Sequence, residues 1–271
     1  MEYLETIGKY YSEVLETRND TFRPHIHDDL EIVYILTGER TVLIDSHEYP
    51  EPTGSLTLVF PFQLHGYLGG SGQHNVICVN PQYLFGYCDI LLSCIPSEPV
   101  LRADMLPERA AKLLSVLMDT TRPKDQTQAN ALITALLAEL FEPLGLRQRG
   151  DCSMSNEILP IVSKHCRESA FSLTALSKMT GIGERTLSDY FTKSFGMSFG
   201  SFIRKYRVNL ACSMLREAGR PTMTEIAFDC GFSSVRTFNR CFREEYGMSP
   251  TDFSGIDRHI SQNGETTTSD P

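Results

Sequence analysis

No run of about 18 apolar residues occurs in this 271-residue chain, which argues against a membrane-spanning helix. The first residues, "MEYLETIGKYYSEVLE", lack a basic start followed by an apolar block. No secretory signal is read there, and a cytoplasmic location is expected. None of the eight cysteines (Cys78, Cys88, Cys94, Cys152, Cys166, Cys212, Cys230 and Cys241) forms a C-x-x-C pair. Zinc-ribbon and thioredoxin-type readings fall away, and most of these thiols are expected to be small buried hydrophobes. An overall positive charge is also missing. The net charge is −9, which at first sight argues against a nucleic-acid partner.

That average conceals two unlike halves. Residues 1–155 carry 21 acidic and 11 basic side chains, a net of −10. Residues 156–250 carry 9 and 13, a net of +4. An acidic sensor joined to a nucleic-acid binder has this asymmetry. The length fits one large domain or two ordinary ones, and a 41% hydrophobic content is enough for real cores.

Between residues 22 and 100 the pattern is β. "LEIVYILTG", "RTVLIDSHEY", "SLTLVF" and "NVICV" are rich in β-branched and aromatic residues, with glycines between them, the last following "LGGSGQ". Several short strands with turn signals predict a sandwich or barrel. Residues 104–119 and 125–146 then show apolar side chains at three- and four-residue spacing, which predicts a helical hairpin across "TTRPKD". Leu113, Leu117, Leu136 and Leu140 supply more apolar surface than a small barrel needs, so this hairpin is expected to pair two copies into a homodimer. The expected organisation is a sensor at 1–146, a polar linker at 147–156, an all-helical unit at 157–255 and a disordered tail at 256–271.

The helical unit repeats itself. "ALSKMTGIGERTLSDYFTKSFGMS" aligns with "EIAFDCGFSSVRTFNRCFREEYGMS", the second copy having one extra residue in its turn. Each copy reads as a short helix, a turn with Gly and a second helix, the helix-turn-helix pattern. In the second copy Arg236, Asn239, Arg240 and Arg243 fall at i, i+3, i+4 and i+7, one polar stripe opposite Phe238, Cys241 and Phe242. Arginine reads guanine and asparagine reads adenine by paired hydrogen bonds in the major groove. The equivalent stripe of the first copy is Arg185, Ser188, Asp189 and Thr192. It is less basic, and Asp189 repels phosphates but suits an amino group of cytosine. The bland reading of either stripe is a solvated helix face, and two stripes in register within the basic half weigh against it. The repeated "GMS" is punctuation: Gly196 and Gly247 suit left-handed C-caps, and Ser198 and Ser249 suit N-caps of the next helix. Between the copies, Phe202, Tyr206, Leu210 and Met214 recur every four residues along one connecting helix of about 20 residues, roughly 30 Å long. That length approaches the separation of successive major-groove faces, about 34 Å.

Residues 171–253 resemble the DNA-binding domain of the AraC family. "TEIAFDCGFSSVRTFNRCFREEYGMSP" follows that family's signature, and "GMSFGSFIRKYRVNLACSML" its connecting helix. The resemblance implies a seven-helix double helix-turn-helix unit that binds duplex DNA and regulates transcription. Asp189 departs from the family, which is often basic at that place.

"FRPHIHDDLEIVYILTG" carries the other signal. In a strand His25, His27 and Glu31 share one face by period two, and "FPFQLHGY" adds His65 from a later strand, with Tyr67 on the face of His65. The pattern H-x-H-x3-E-x6-G followed by P-x3-H, within residues 20–100, resembles the cupin barrel. Cupin enzymes hold a divalent transition metal with three histidines and one carboxylate, which implies the set His25, His27, Glu31 and His65. Imidazole and carboxylate suit Fe, Ni, Mn or Zn. Gln63 stands where those enzymes carry Gly, and the same histidines also fit a plain ligand pocket or cross-strand hydrogen bonds. Asp28 and Asp29 are read as a solvent-facing turn, and His47 and His74 as surface residues.

The reading is therefore α+β: a cupin-like barrel with a helical hairpin, then an all-α double helix-turn-helix domain. Its expected role is a non-enzymatic transcription regulator. A small effector, a sugar or another small metabolite, would contact His25, His27, Glu31, His65 and Tyr67. The alternatives are a metal-dependent cupin enzyme with an appended DNA-binding domain, and a regulator with no ligand. Sequence leaves activator against repressor open.

Overall fold

The computed structural model describes residues 11–18, 21–119, 125–216 and 221–254. The expected tail, 256–271, lies outside the described residues. The architecture is α+β, a nearly closed antiparallel sheet followed by helices. The strands are β1 (Tyr11–Arg18), β2 (Thr21–His25), β3 (Leu30–Ile35), β4 (Glu39–Ile44), β5 (His47–Pro52), β6 (Leu56–Val59), β7 (His65–Val79), β8 (Cys94–Pro96), β9 (Val100–Leu101) and β10 (Leu146–Gln148). The helices are α1 (Cys88–Ser93), α2 (Glu108–Met118), α3 (Gln126–Leu144), α4 (Cys152–His165), α5 (Leu173–Thr180), α6 (Glu184–Phe195), α7 (Phe199–Arg216), α8 (Met223–Asp229) and α9 (Val235–Tyr246).

Strand β7 organises the barrel. Its first part pairs with β2 and β4, its second with β1 and β3. Serving four partners requires a bend, and "LGGSGQ" supplies it. A Cβ on Gly72 would lie 2.0 Å from the Thr37 carbonyl oxygen, and Gly72 has φ +113°, so only glycine fits this close crossing. These glycines, expected to precede a strand, lie inside one. The extension also buries His74, opposite Ile35, although its sequence context reads as surface.

Strand β3 has two buried faces, which is why it reads as an apolar run interrupted only at Glu31. Leu30 and Ile32 join Leu56, Leu58, Ile77 and the hairpin side chains Leu114, Ile133 and Leu137 in one core. On the other face Glu31 meets the interior. The hairpin leucines Leu117, Leu136 and Leu140 are buried in this core of the same chain, so they are not spare dimer surface. Leu113 is partly buried, and Val116 beside it on α2 is 51% exposed.

The segment 147–156, polar enough to read as a linker, is ordered. β10 pairs with β8, the Arg149 N–H donates to the Ser93 carbonyl, and Asp151 caps α4. α4 then packs into a second core that joins barrel and helical unit: Ile26, Phe62 and Leu92 from the barrel side meet Ile158, Leu159, Val162, Phe202 and Tyr206. α7 divides its length. Phe199, Phe202, Ile203 and Tyr206 serve that core, whereas Val208, Ala211, Cys212, Met214 and Leu215 pack on α8 and α9.

Candidate effector site and nucleic-acid interface

Three strands and a turn bring four donor side chains together. His25 ends β2 and pairs with His65, which begins β7; Glu31 lies on β3 opposite Cys78; His27 sits in the β2–β3 turn. One ligand atom from each of His25, His27, Glu31 and His65 lies within 4.8 Å of the others. The imidazole centroids are 4.2 Å apart for His25–His65, 4.8 Å for His27–His65 and 5.5 Å for His25–His27. Backbone carbonyls orient the rings: Nδ1 of His25, His27 and His65 each contact one, at Arg23, Asp29 and Gln63. With Nδ1 so held, the Nε2 atoms of His27 and His65 turn to Glu31 Oε2, at 3.3 and 3.7 Å. His65 Nε2 is fully buried and makes no hydrogen bond in this arrangement.

Glu31 is the hub. Its Oε1 accepts from the Tyr67 hydroxyl, and its Oε2 accepts from the Cys78 thiol at 3.8 Å. The Arg40 guanidinium lies 3.8 Å from the centre of the Tyr67 ring and donates to buried Glu51 at 2.6 Å. Burial raises the Glu31 carboxyl, but His65 and His27 outweigh it and hold it well below the usual carboxylate range. Burial, with His65 and His27 adding, pushes His25 well below 6.5. An ionised carboxylate beside a neutral imidazole is the form in which both act as ligands. Cys78 and Arg40 were missed from sequence; Cys78 faces the site only because strand register sets it opposite Glu31.

Asp28 and Asp29 are not a solvent-facing turn. Both are half-buried, and Asp28 accepts from the Ser163 hydroxyl of α4. Burial, with Asp28 adding, raises Asp29 to about 7. His47 is exposed.

The second candidate site is the outer face of the helical unit. Arg236, Asn239, Arg240 and Arg243 are all exposed on α9 and line one open groove with Glu244. Arg240 Nη1 donates to Glu244 Oε1 at 2.6 Å, and Arg204 of α7 reaches the other oxygen at 3.2 Å. Glu244 was missed, although its place four residues after Arg240 was the signal. On α6, Arg185, Asp189 and Thr192 are exposed and Ser188 is half-buried. The Thr192 hydroxyl donates back to the Ser188 carbonyl, which occupies its hydrogen. The punctuation is as expected. Gly196 and Gly247 close α6 and α9 with φ of 64° and 72°, and Ser198 and Ser249 accept from the N–H groups of Ser201 and Asp252.

A buried donor cluster within a barrel, packed against paired helix-turn-helix motifs, defines the class: a sensor-type domain joined to a DNA-binding unit. Comparison with known proteins places it further. Residues 9–137 match the AraC-like ligand binding domain, and residues 176–255 match a helix-turn-helix domain. The chain belongs to the AraC family of transcription regulators.

The transcriptional activator RhaR of Salmonella dublin is 24% identical, over 91% of this chain and 90% of RhaR. The transcriptional activator RhrA of Rhizobium meliloti (strain 1021) is 30% identical over 92 residues, which is 34% of this chain and only 29% of RhrA. The ToxT structure from Vibrio cholerae superposes with a TM-score of 0.69 at 14% identity, covering 92% of this chain and 98% of ToxT, a likeness of fold. Another ToxT structure, with a TM-score of 0.65 at 16% identity over 91% and 95% of the two chains, is bound to an unsaturated fatty acid. Among the described residues no helix is long and apolar enough to cross a membrane.

Proposed function

We propose that this chain regulates transcription by binding duplex DNA through α9 and α6, under control of a small effector held at His25, His27, Glu31, His65 and Tyr67. The observation that carries the effector reading is the convergence of three imidazoles and an ionised carboxylate, one ligand atom from each lying within 4.8 Å of the others. The relatives are named transcriptional activators, and activation is the proposed direction. The sensor is taken as 1–146 and the DNA-binding unit as 157–255, in the cytoplasm. A homodimer would use the α2 face around Val116 and Leu113, since the deeper leucines are consumed within the chain.

The effector class is a small polar metabolite such as a sugar. A second reading, a divalent transition metal, is favoured by four donor atoms within 4.8 Å. The residues fit: three imidazoles and an ionised carboxylate suit Fe, Ni, Mn or Zn, and such a metal would supply a Lewis-acidic centre to which a polar metabolite also binds.

Calorimetry of the purified full chain with Co(II), Ni(II) and Zn(II), and separately with a panel of sugars and small acids, tests both. His65→Ala should abolish whichever binding is found. Because imidazoles bind metal only when neutral, metal affinity should fall as the pH drops through the range in which His27 protonates. Burial lowers His27, but the hydrogen bond and charge of Glu31 outweigh it and raise it above 6.5. Binding of every probe unaltered by His65→Ala would remove the site from the effector reading. Selection of DNA sites from a random duplex pool tests the other half.

A further inference from the structure

Residues 23–29 face two ways. His25 and His27 turn into the cluster with Glu31 and His65. The intervening residues turn out. Ile26 is buried against the helical unit, Asp28 accepts from the hydroxyl of Ser163 on α4, and the Tyr206 hydroxyl on α7 is pushed well above its ordinary range by burial and then by the charge of Asp28. At the start of the segment Arg23 Nη1 donates to the Glu245 carbonyl, 3.2 Å away near the end of α9. One stretch thus touches the donor cluster on one face and both halves of the DNA-binding unit on the other.

The loop before β7 doubles the connection. The His27 carbonyl accepts from the Phe62 N–H at 2.7 Å. Phe62 has φ +63°, a left-handed conformation that is strained for a bulky side chain. Its ring is fully buried, 5.7 Å from Phe202 and 6.0 Å from Tyr206. Beside the contact lies a cavity of about 110 Å³ lined by Asp28, Phe62, Leu92, Leu159 and Ser163 among others, so the junction has room to rearrange.

We propose that Asp28, Ser163, Tyr206 and Phe62 form a latch between the donor cluster and the helix joining the two helix-turn-helix motifs, opened when the cluster is occupied. The inference rests on the cluster being the effector site. A ligand drawing His25 and His27 toward Glu31 and His65 displaces the intervening Asp28 and the Phe62 partner carbonyl, because they share a backbone. The contact with α4 and α7 weakens, and the two recognition helices are released. Linkage requires the reverse: a broken latch tightens binding at the cluster by the same factor.

The test uses the full chain and Co(II), whose visible spectrum reports ligation, with amide hydrogen exchange read at 158–163 and 202–206. Circular dichroism checks that each variant is folded. Co(II) should accelerate exchange in both segments. The double variant Ser163→Ala with Tyr206→Phe, and separately Asp28→Asn, should bind Co(II) about fivefold or more tightly, at the low end of usual couplings. Cobalt binding with unchanged exchange, and with wild-type affinity in both variants, would overturn the latch while leaving the site. If Co(II) does not bind, the metal reading of the site fails, and His27→Ala becomes the probe. The latch then predicts altered exchange at 158–163 and 202–206 without metal, and unaltered exchange overturns it.

Discussion

The two helix-turn-helix copies are alike inside and unlike outside. α6 and α9 each have 12 residues, each ends on a left-handed Gly, and each buries a face of large side chains. Leu187, Tyr190 and Phe191 fill the first; Phe238, Cys241, Phe242 and Tyr246 fill the second. On the exposed faces Arg185, Ser188, Asp189 and Thr192 stand against Arg236, Asn239, Arg240 and Arg243. Their neighbours differ as well. The first copy shares a core with Ile26, Phe62 and Leu92 of the barrel side, whereas the second has its own core with α7 and α8 and meets the barrel side through the Arg23 contact with the Glu245 carbonyl. Buried positions repeat because they build the same fold twice. Exposed positions diverge in the way the proposed division of tasks requires, with base reading assigned to the second copy and contact with the barrel core to the first.

The largest effects should come from the cores. Phe238→Ala and Leu187→Ala both empty fully buried positions, and each should destabilise by about 2–5 kcal/mol. Their reach should differ. Thermal unfolding followed by hydrogen exchange should show Leu187→Ala loosening 158–163 and residues near Phe62, with Phe238→Ala confined to α8 and α9. Equal spread into the barrel from both would break the asymmetry.

Base reading should be next in size. Arg236→Ala should cost roughly 1–3 kcal/mol on the selected site and relax one base position. Arg185→Ala should lower affinity more evenly across sequences. Electrophoretic mobility or fluorescence anisotropy, on the selected site and a scrambled duplex, separates the two outcomes. If Arg185→Ala relaxes a base position as strongly as Arg236→Ala, the first copy reads sequence after all.

Asp189→Asn should act in the opposite sense. Removing an exposed carboxylate from a face near phosphates should strengthen binding by about 0.5 kcal/mol at low salt. The gain should shrink as salt is raised, because both charges are solvated. A weakened and less selective complex would instead assign Asp189 to base recognition.

How much of the fold and the sites was legible in the sequence depended on range. Caps, turns and stripes lie within a few residues of what they contact, so Gly196, Ser198 and the α9 arginines could be read off directly. The Arg240–Glu244 pair at i, i+4 was equally local. His25, His27 and Glu31 were expected on one face of a single strand, but they converge by another route: His25 ends β2, His27 lies in the turn and Glu31 is on β3, all gathered against β7. The contact of Asp28 with Ser163, 135 residues away, is written in no local pattern, and two adjacent aspartates look like a solvated turn. Gly70 and Gly72 misled for a physical reason: glycine marks a turn and a tight strand crossing alike, and only the pairing partners separate them. The hairpin leucines misled in another way. Apolar count measures what must be buried, not whether the chain itself or a second copy does the burying.

The smallest expected effect tests the comparison at the helix starts. Ser234 caps α9 by accepting from the Thr237 N–H, whereas Gly183 at the same place before α6 offers no side-chain acceptor. Gly183 already has the extended conformation of an N-cap, φ −61° and ψ 142°, and a Cβ there meets nothing within 4 Å. Gly183→Ser therefore adds an acceptor without a clash and removes backbone freedom from the unfolded chain. A gain of a few tenths of a kcal/mol is expected, and Ser234→Ala should lose about 1 kcal/mol. Paired chemical-denaturation curves with equal slopes would resolve the difference. If Gly183→Ser leaves stability unchanged but weakens DNA binding, the missing cap is no oversight: the bare N–H groups at the start of α6 are then being used on a phosphate, the one contact in which the first copy would exceed the second.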